Sequence, residues 1–99
     1  MKSLTILAVC GAGLGSSFAC EMSIEAALKD MGIKAALSHC DISSAASTRA
    51  DIIMTGSNFK SQFENYTLSS TVIYLRRLID KKEITEKLTP VLKEMGYLN

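Results

Sequence analysis

Long apolar runs, an excess of charge of either sign and paired cysteines are all missing from this 99-residue chain, and each absence closes off a class of function. The longest uninterrupted apolar stretches are of strand length, far below the roughly 20 residues of a bilayer-spanning helix, so no segment is expected to cross a membrane. Lysine and arginine number 11 against 10 aspartates and glutamates, a formal charge of +1. Such a balance gives no chain-wide attraction to nucleic acid or to an anionic membrane, and any electrostatic function has to be local. Cys10, Cys20 and Cys40 are too few for a disulfide framework, and no CxxC pair suggests zinc. Reduced thiols in the cytoplasm, with no metal and no cofactor, are the expectation. A secretory signal takes roughly 15 to 30 residues with a small residue before the cut; Lys2 followed by LTILAVC has little room and places Val9 there. Repeats, linkers and low-complexity segments are lacking too. Residues 1–99 therefore read as one domain, with 47% hydrophobic content to build its core.

What is present is an alternation of strands and helices. LTILAV at 4–9 is a short apolar run of β-formers, read as a buried strand that ends at a glycine-rich loop. Ser16 or Ser17 is placed to cap the following helix, in which Ile24, Ala27, Leu28 and Met31 repeat at helical spacing while Glu21, Glu25 and Lys29 take another face. Gly32 is placed to end it. KAALS at 34–38 is a weaker second strand, 41–50 a small polar loop with room for one helical turn, and DIIMT at 51–55 a strong third strand. A short helix over 59–64 and a fourth strand at 71–75 follow. Ile84, Leu88, Val91, Leu92 and Met95 share a face of the last helix, with Asp80 and Glu83 at capping-box spacing. Pro90 lacks an amide hydrogen and is expected to bend this helix. The pattern predicts an α/β fold with a four-stranded parallel sheet in the order 2-1-3-4 and helices on both faces. In such sheets the ligand site lies beyond the strands' C-terminal ends at the switch point beside strand one, which is where Cys10 falls.

The loop Cys10-Gly11-Ala12-Gly13-Leu14-Gly15-Ser16-Ser17 carries the chemistry. Three glycines permit left-handed angles that turn amides inward as an anion nest, and the helix N-terminus adds partial positive charge. The Ser16 and Ser17 hydroxyls can donate further hydrogen bonds to a phosphoryl dianion. Dipoles that hold phosphate also favour thiolate over thiol, so Cys10 becomes a nucleophile at the mouth of the cup. The bland reading is a small hydrophobe ending a strand before an ordinary turn.

Other uses of such a loop fit less well. The dinucleotide fingerprint fails at Ser16, which replaces the third glycine, and a nucleotide P-loop needs a lysine where none occurs between Lys2 and Lys29. The low-molecular-weight tyrosine phosphatases use Cys, five residues, then Arg in a similar cradle; here Ser16 occupies the arginine's place. Asp41, Asp51 and Asp80 are not followed by proline, so that family's acid motif is missing as well. Without the guanidinium, transition-state charge is less well stabilised, which suits a phosphate store better than a hydrolase. A phosphatase-like hydrolase and a non-enzymatic anion-binding or thiol-switch domain remain the alternatives.

VCGAGLGSS after a first strand, Met22 on the next helix, DII from residue 51 and the ending IDKKEITEKLTPVLKEMGYL together resemble the IIB components of bacterial sugar phosphotransferase systems, in their ascorbate-type branch. The resemblance spans essentially the whole chain, and Ala12 stands where similar proteins often carry asparagine. It implies that a phosphohistidine on a IIA partner phosphorylates Cys10, that Gly11, Ala12, Gly13, Leu14, Gly15, Ser16 and Ser17 form the phosphate cradle, and that the phosphocysteine donates to a sugar held by a membrane IIC transporter. Sugar identity would then rest mainly with IIC.

Four further groups are weighed beside the loop. His39, Cys40 and Asp41 lie at the end of strand two and could tune Cys10, although a lone histidine there is more often locally bonded. Leu14 is a candidate anchor for partners, while Phe18 and Cys20 are read as core. Arg76, Arg77, Lys81 and Lys82 form a basic rim, more simply a solvated face than a steering surface.

Overall fold

The structure, a computed structural model, describes residues 4–10, 14–41, 50–64, 70–77 and 80–97; for Cys10, Leu14 to Ser17, Asp41, Asn58 and Gln62 it describes the backbone alone. The elements are β1 (Leu4–Cys10), α1 (Leu14–Met31), β2 (Ala35–Asp41), β3 (Ile52–Gly56), a 3-10 turn (Ser57–Phe59) running into α2 (Lys60–Phe63), β4 (Thr71–Leu75) and α3 (Lys81–Met95). All strand pairs are parallel and the order is β2-β1-β3-β4, as the sequence pattern predicts. Residues 42–49, expected to form a loop, lie outside the described residues.

Alternation along β1 divides the interior into two. Leu4, Ile6 and Ala8 face one side, where Cys20, Ile24, Ala27 and Leu28 of α1 and Ile84, Leu88 and Leu92 of α3 close over them. Leu7 and Val9 face the other, against Ile53 and Phe63, with Phe59 and Tyr74 packed alongside. Helical elements thus cover both faces. Among the described residues, the 3-10 turn and α2 supply the helical cover of this second layer.

Helix ends follow local chemistry. Gly32, at φ 73°, donates to Lys29 O at 3.1 Å, and Ile33 donates to Leu28 O at 2.9 Å, a Schellman closure that needs the left-handed angle. Asp80 caps α3 by accepting from the amides of Lys82 and Glu83 at 3.0 and 3.3 Å. The capping box is only half formed. Glu83 turns instead to the chain leaving β4, accepting from the amides of Arg76 and Arg77 at 2.7 and 3.0 Å, because two otherwise orphaned strand-end donors lie within its reach. Pro90 does not divide α3, which runs as one element from Lys81 to Met95. Its ring is solvent-exposed, so water can reach the Glu86 carbonyl that loses its amide partner.

Three expectations need correction. α1 starts at Leu14, so Ser16 and Ser17 lie inside its first turn and do not cap it. β2 extends three residues further than the alanine-poor propensity suggested, because pairing along the whole of β1 overrides it; His39, Cys40 and Asp41 are strand residues. Phe18, read as core, is 52% exposed. It precedes buried Cys20 by two positions, and a helix turns about 200° over two residues, so Phe18 points away from the packed stripe.

Candidate functional site

Every strand of a parallel sheet ends on the same edge, and Cys10 closes β1, one of the two inner strands. In register, Cys10 stands beside Asp41 of β2 on one side, while Val9 stands beside Thr55 of β3 on the other. Gly11, Ala12 and Gly13 lie outside the described residues. Leu14, Gly15, Ser16 and Ser17 form the first turn of α1, so these four cradle candidates offer helix N-terminal amides, which lack intrahelical acceptors.

Two long helices begin at this edge, and they differ in what faces their first amides. At α3 the chain's own carboxylates are already there, Asp80 on the first turn and Glu83 on the amides after β4. At α1 the first turn holds no acidic residue. An incoming anion would compete with a built-in carboxylate at α3, whereas at α1 it would meet partial positive charge directly after the cysteine.

Around β1 two polar contacts fix the strand. At its beginning, the Thr5 amide and hydroxyl donate to Asp51 Oδ2 at 2.9 and 3.1 Å, and the Asp51 amide donates back to Thr5 Oγ1 at 2.9 Å. At its end, Thr55, fully buried, donates its hydroxyl to Val9 O at 2.9 Å, one residue before the cysteine. The signal for Thr55 was in the sequence, since a hydroxyl inside the apolar run IIMT has to find an acceptor. Thr55→Val keeps the shape and removes the donor, and is expected to cost about 1–2 kcal/mol. Urea unfolding would check this; a change below about 0.3 kcal/mol would show that Val9 O does not depend on the hydroxyl.

His39 projects toward α1. Its Nδ1 lies 2.6 Å from Glu21 Oε2, and its ring meets that of Phe18 edge-on, with centroids 5.8 Å apart. His39 is locally bonded, and Glu21 is a partner that the helical wheel alone did not identify. Cys40, next along β2, packs against the opposite layer with Leu7 and Val9. Cys20 is fully buried, as expected.

At the far edge, Glu83 also pairs with Lys87 at 3.0 Å, and Lys87 donates to Tyr74 O. Burial by itself would raise the Glu83 carboxyl; the Arg76 amide, the Lys87 ammonium and the Arg77 amide outweigh it and hold the carboxyl below its ordinary 4.5. A depressed carboxyl stabilises the fold above the unfolded-state value, and that contribution disappears as pH falls through the lower folded value. Glu83→Gln is expected to lose about 1–2 kcal/mol at neutral pH and to show a flatter fall in stability below pH 4.5. Parallel acid titrations of both proteins in urea measure it, and superimposable slopes would refute it.

A groove of 670 Å³ runs between α1 and β2, with Leu28, Ile33, Ala35 and Leu37 on its apolar side and Glu21, Glu25, Lys29 and Lys34 along its polar side. Among the described residues no cluster of three or more histidines, cysteines or carboxylates could hold a metal ion, and no helix is long and apolar enough to cross a membrane.

The profile of the family described as "PTS system, Lactose/Cellobiose specific IIB subunit" matches residues 5–90, from the first residues of β1 into α3. The chain belongs to this phosphotransferase-system IIB family. As a whole, this IIB chain is 29% identical over 93 residues to the ascorbate-specific PTS system EIIB component of Mycoplasma pneumoniae, covering 92% of the chain and 97% of that relative. Its fold is shared with the lactose-specific IIB component domain of Streptococcus pneumoniae (TM-score 0.59, 18% identity, 93% and 97% coverage). It is shared also with an Enzyme IIB subunit of Escherichia coli K12 (TM-score 0.56, 18% identity, 96% and 94% coverage). The expected α/β sheet of IIB type is thus the one observed, and the chain is a IIB component of a sugar phosphotransferase system.

Proposed function

We propose that Cys10 accepts a phosphoryl group from a phosphohistidine of a IIA protein and passes it to a sugar, ascorbate or a related one, held by a IIC transporter. Residues 1–99 act in the cytoplasm as one phosphocarrier domain. The observation that carries this reading is the position of Cys10 at the end of an inner strand, four residues before the start of a helix whose first turn bears no carboxylate. The Mycoplasma pneumoniae relative supports ascorbate as the first sugar to test.

In the first step the Cys10 thiolate attacks phosphorus, the S–P bond forms and the P–N bond breaks, and the donor imidazole leaves. In the second, a sugar hydroxyl attacks, the O–P bond forms and the S–P bond breaks; the thiolate is regenerated and the hydroxyl proton passes to solvent. Gly11 to Gly13 and the amides and hydroxyls from Leu14 to Ser17 hold the three phosphoryl oxygens in both steps. Ser16, in place of an arginine, gives the dianion less stabilisation along a hydrolytic path, so the phosphocysteine persists until an acceptor docks.

Incubation with phosphoenolpyruvate, the general phosphotransferase proteins and the IIA protein, followed by intact-mass analysis, tests the reading. One added phosphoryl group on the wild-type chain is the expected result. Turnover of p-nitrophenyl phosphate without a stable mass gain would assign a phosphatase instead, and neither result would leave an anion-binding or thiol-switch domain.

A further inference from the structure

β2 is an outer strand of the sheet, paired with β1 at every position from Ala35 to Asp41 without a bulge. Its other edge meets no strand, and among the described residues no backbone hydrogen bond leaves it in that direction. Outer strands are ordinarily blunted by shortness, proline, lysine or a bulge. From Ala35 to Asp41, β2 uses none of these. Ala36 and Ser38, small and exposed, leave the edge sterically open. The sheet's other margin differs, because β4 has five residues and Lys87 of α3 donates to its Tyr74 O.

The groove between α1 and β2 follows this open edge. Leu28 on its apolar side is buried in the core layer under α1, whereas Ile33, Ala35 and Leu37 are only partly buried and keep surface in the groove. Charge is divided along its length. α1 runs opposite to β2, so Glu21, bonded to His39, and Glu25 stand toward the strand's C-terminal half, and Lys29 and Lys34 toward its beginning. Glu25, Lys29 and Lys34 form no ion pair among the described residues.

A strip that is acidic at one end, basic at the other and open to backbone pairing between them is complementary to itself turned through half a circle. We propose that this edge is the interface of a twofold homodimer, in which β2 pairs antiparallel with β2 of a second copy and the two sheets become continuous. Strand-edge amides and carbonyls that the monomer leaves to water then bond one another. Both α1 helices lie on the same face of the joined sheet, so the two grooves meet and their apolar sides leave water together. The acidic end of each copy faces the basic end of the other, whereas parallel alignment would oppose like charges. Antiparallel pairing also points the two Cys10 ends in opposite directions and covers neither. The proposal uses nothing of the phosphoryl chemistry.

Sedimentation of the full chain from about 10 μM to about 1 mM reads the assembly, and hydrogen exchange reads the edge. A reversible monomer–dimer equilibrium is expected, with amides between Ala35 and Asp41 exchanging more slowly as concentration rises. Ala36→Lys/Ser38→Lys sets like charges across the pairing and is expected to weaken association about tenfold or more. Lys29→Glu/Lys34→Glu makes the strip acidic throughout. Its weaker association is expected to strengthen with added salt, the reverse of wild type. All four side chains are exposed, thermal unfolding checks that each variant is folded, and for one that is not the wild-type exchange pattern decides. A chain that stays monomeric throughout, or association unchanged in both variants, would overturn the interface. So would a dimer whose slowed amides lie outside β2, as one built on exposed Phe18 and Met22 would show. The same holds for β2 amides that slow only when a different protein of the transport system is added.

Discussion

Cys10→Ser is expected to lower phosphoryl transfer to sugar by roughly a thousandfold or more, with no exchangeable phosphoryl group on the protein. A thiol of ordinary pKa about 8.5 is already partly ionised near neutral pH and is drawn further toward thiolate at a helix N-terminus, whereas a serine hydroxyl stays protonated. The change removes no volume to speak of, so folding is expected to survive it. Cys40→Ser supplies the control: Cys40 packs beside Leu7 and Val9, in the layer on the far side of the sheet from α1, and its loss should leave the phosphoryl load intact. Mass analysis after exposure to the phosphorylated donor reads both variants. A load that survived in Cys10→Ser and vanished in Cys40→Ser would move the nucleophile to β2.

Leu88→Ala is expected to cost about 2–5 kcal/mol, a large part of the 5–15 kcal/mol that holds a typical domain together. Leu88 has no exposed surface and sits between Ile84 and Leu92 on α3, in the layer that α1 closes over the inner face of β1. Collapse around the lost side chain is resisted on every side. Ile24, Ile6 and Leu75 of the same layer belong to elements already fixed by the sheet and by α1, so a cavity persists and adds to the lost transfer energy. Urea unfolding should show a lower midpoint at an unchanged slope. A loss under 1 kcal/mol would mean that α3 can shift to refill the space, and hence that its packing on α1 is looser than the burial of Leu88 implies.

Periodicity and local chemistry made much of this molecule legible before any coordinates. Apolar runs marked β1, β3 and β4, the first two running into glycine and the third set between serine and arginine pairs; the helical spacing of Ile24, Ala27, Leu28 and Met31 marked α1, and Gly32 and Asp80 marked helix ends through interactions spanning only a few residues. Parallel order followed from alternation and short crossovers. Placement was harder. Ser16 and Ser17 are good caps by residue type, yet the turn begins two residues earlier, at Leu14, and residue preference alone rarely locates a boundary that closely. Phe18 was misread because size and apolarity argue for burial, while its angular position on α1 argues against it, and the angle decides.

For this protein, the order of residues along the chain determined the alternating α/β plan, the helix stops and the placing of a cysteine at the end of β1 just ahead of α1, since each depends on neighbours within a turn or two. Tertiary structure alone decided that Glu21 holds His39, that Thr55 anchors Val9 and that Glu83 fills the amides after β4. Those contacts join residues 18, 46, 7 and 6 positions apart. Strand register and helix rotation bring them together, and neither is specified by the composition of any one segment.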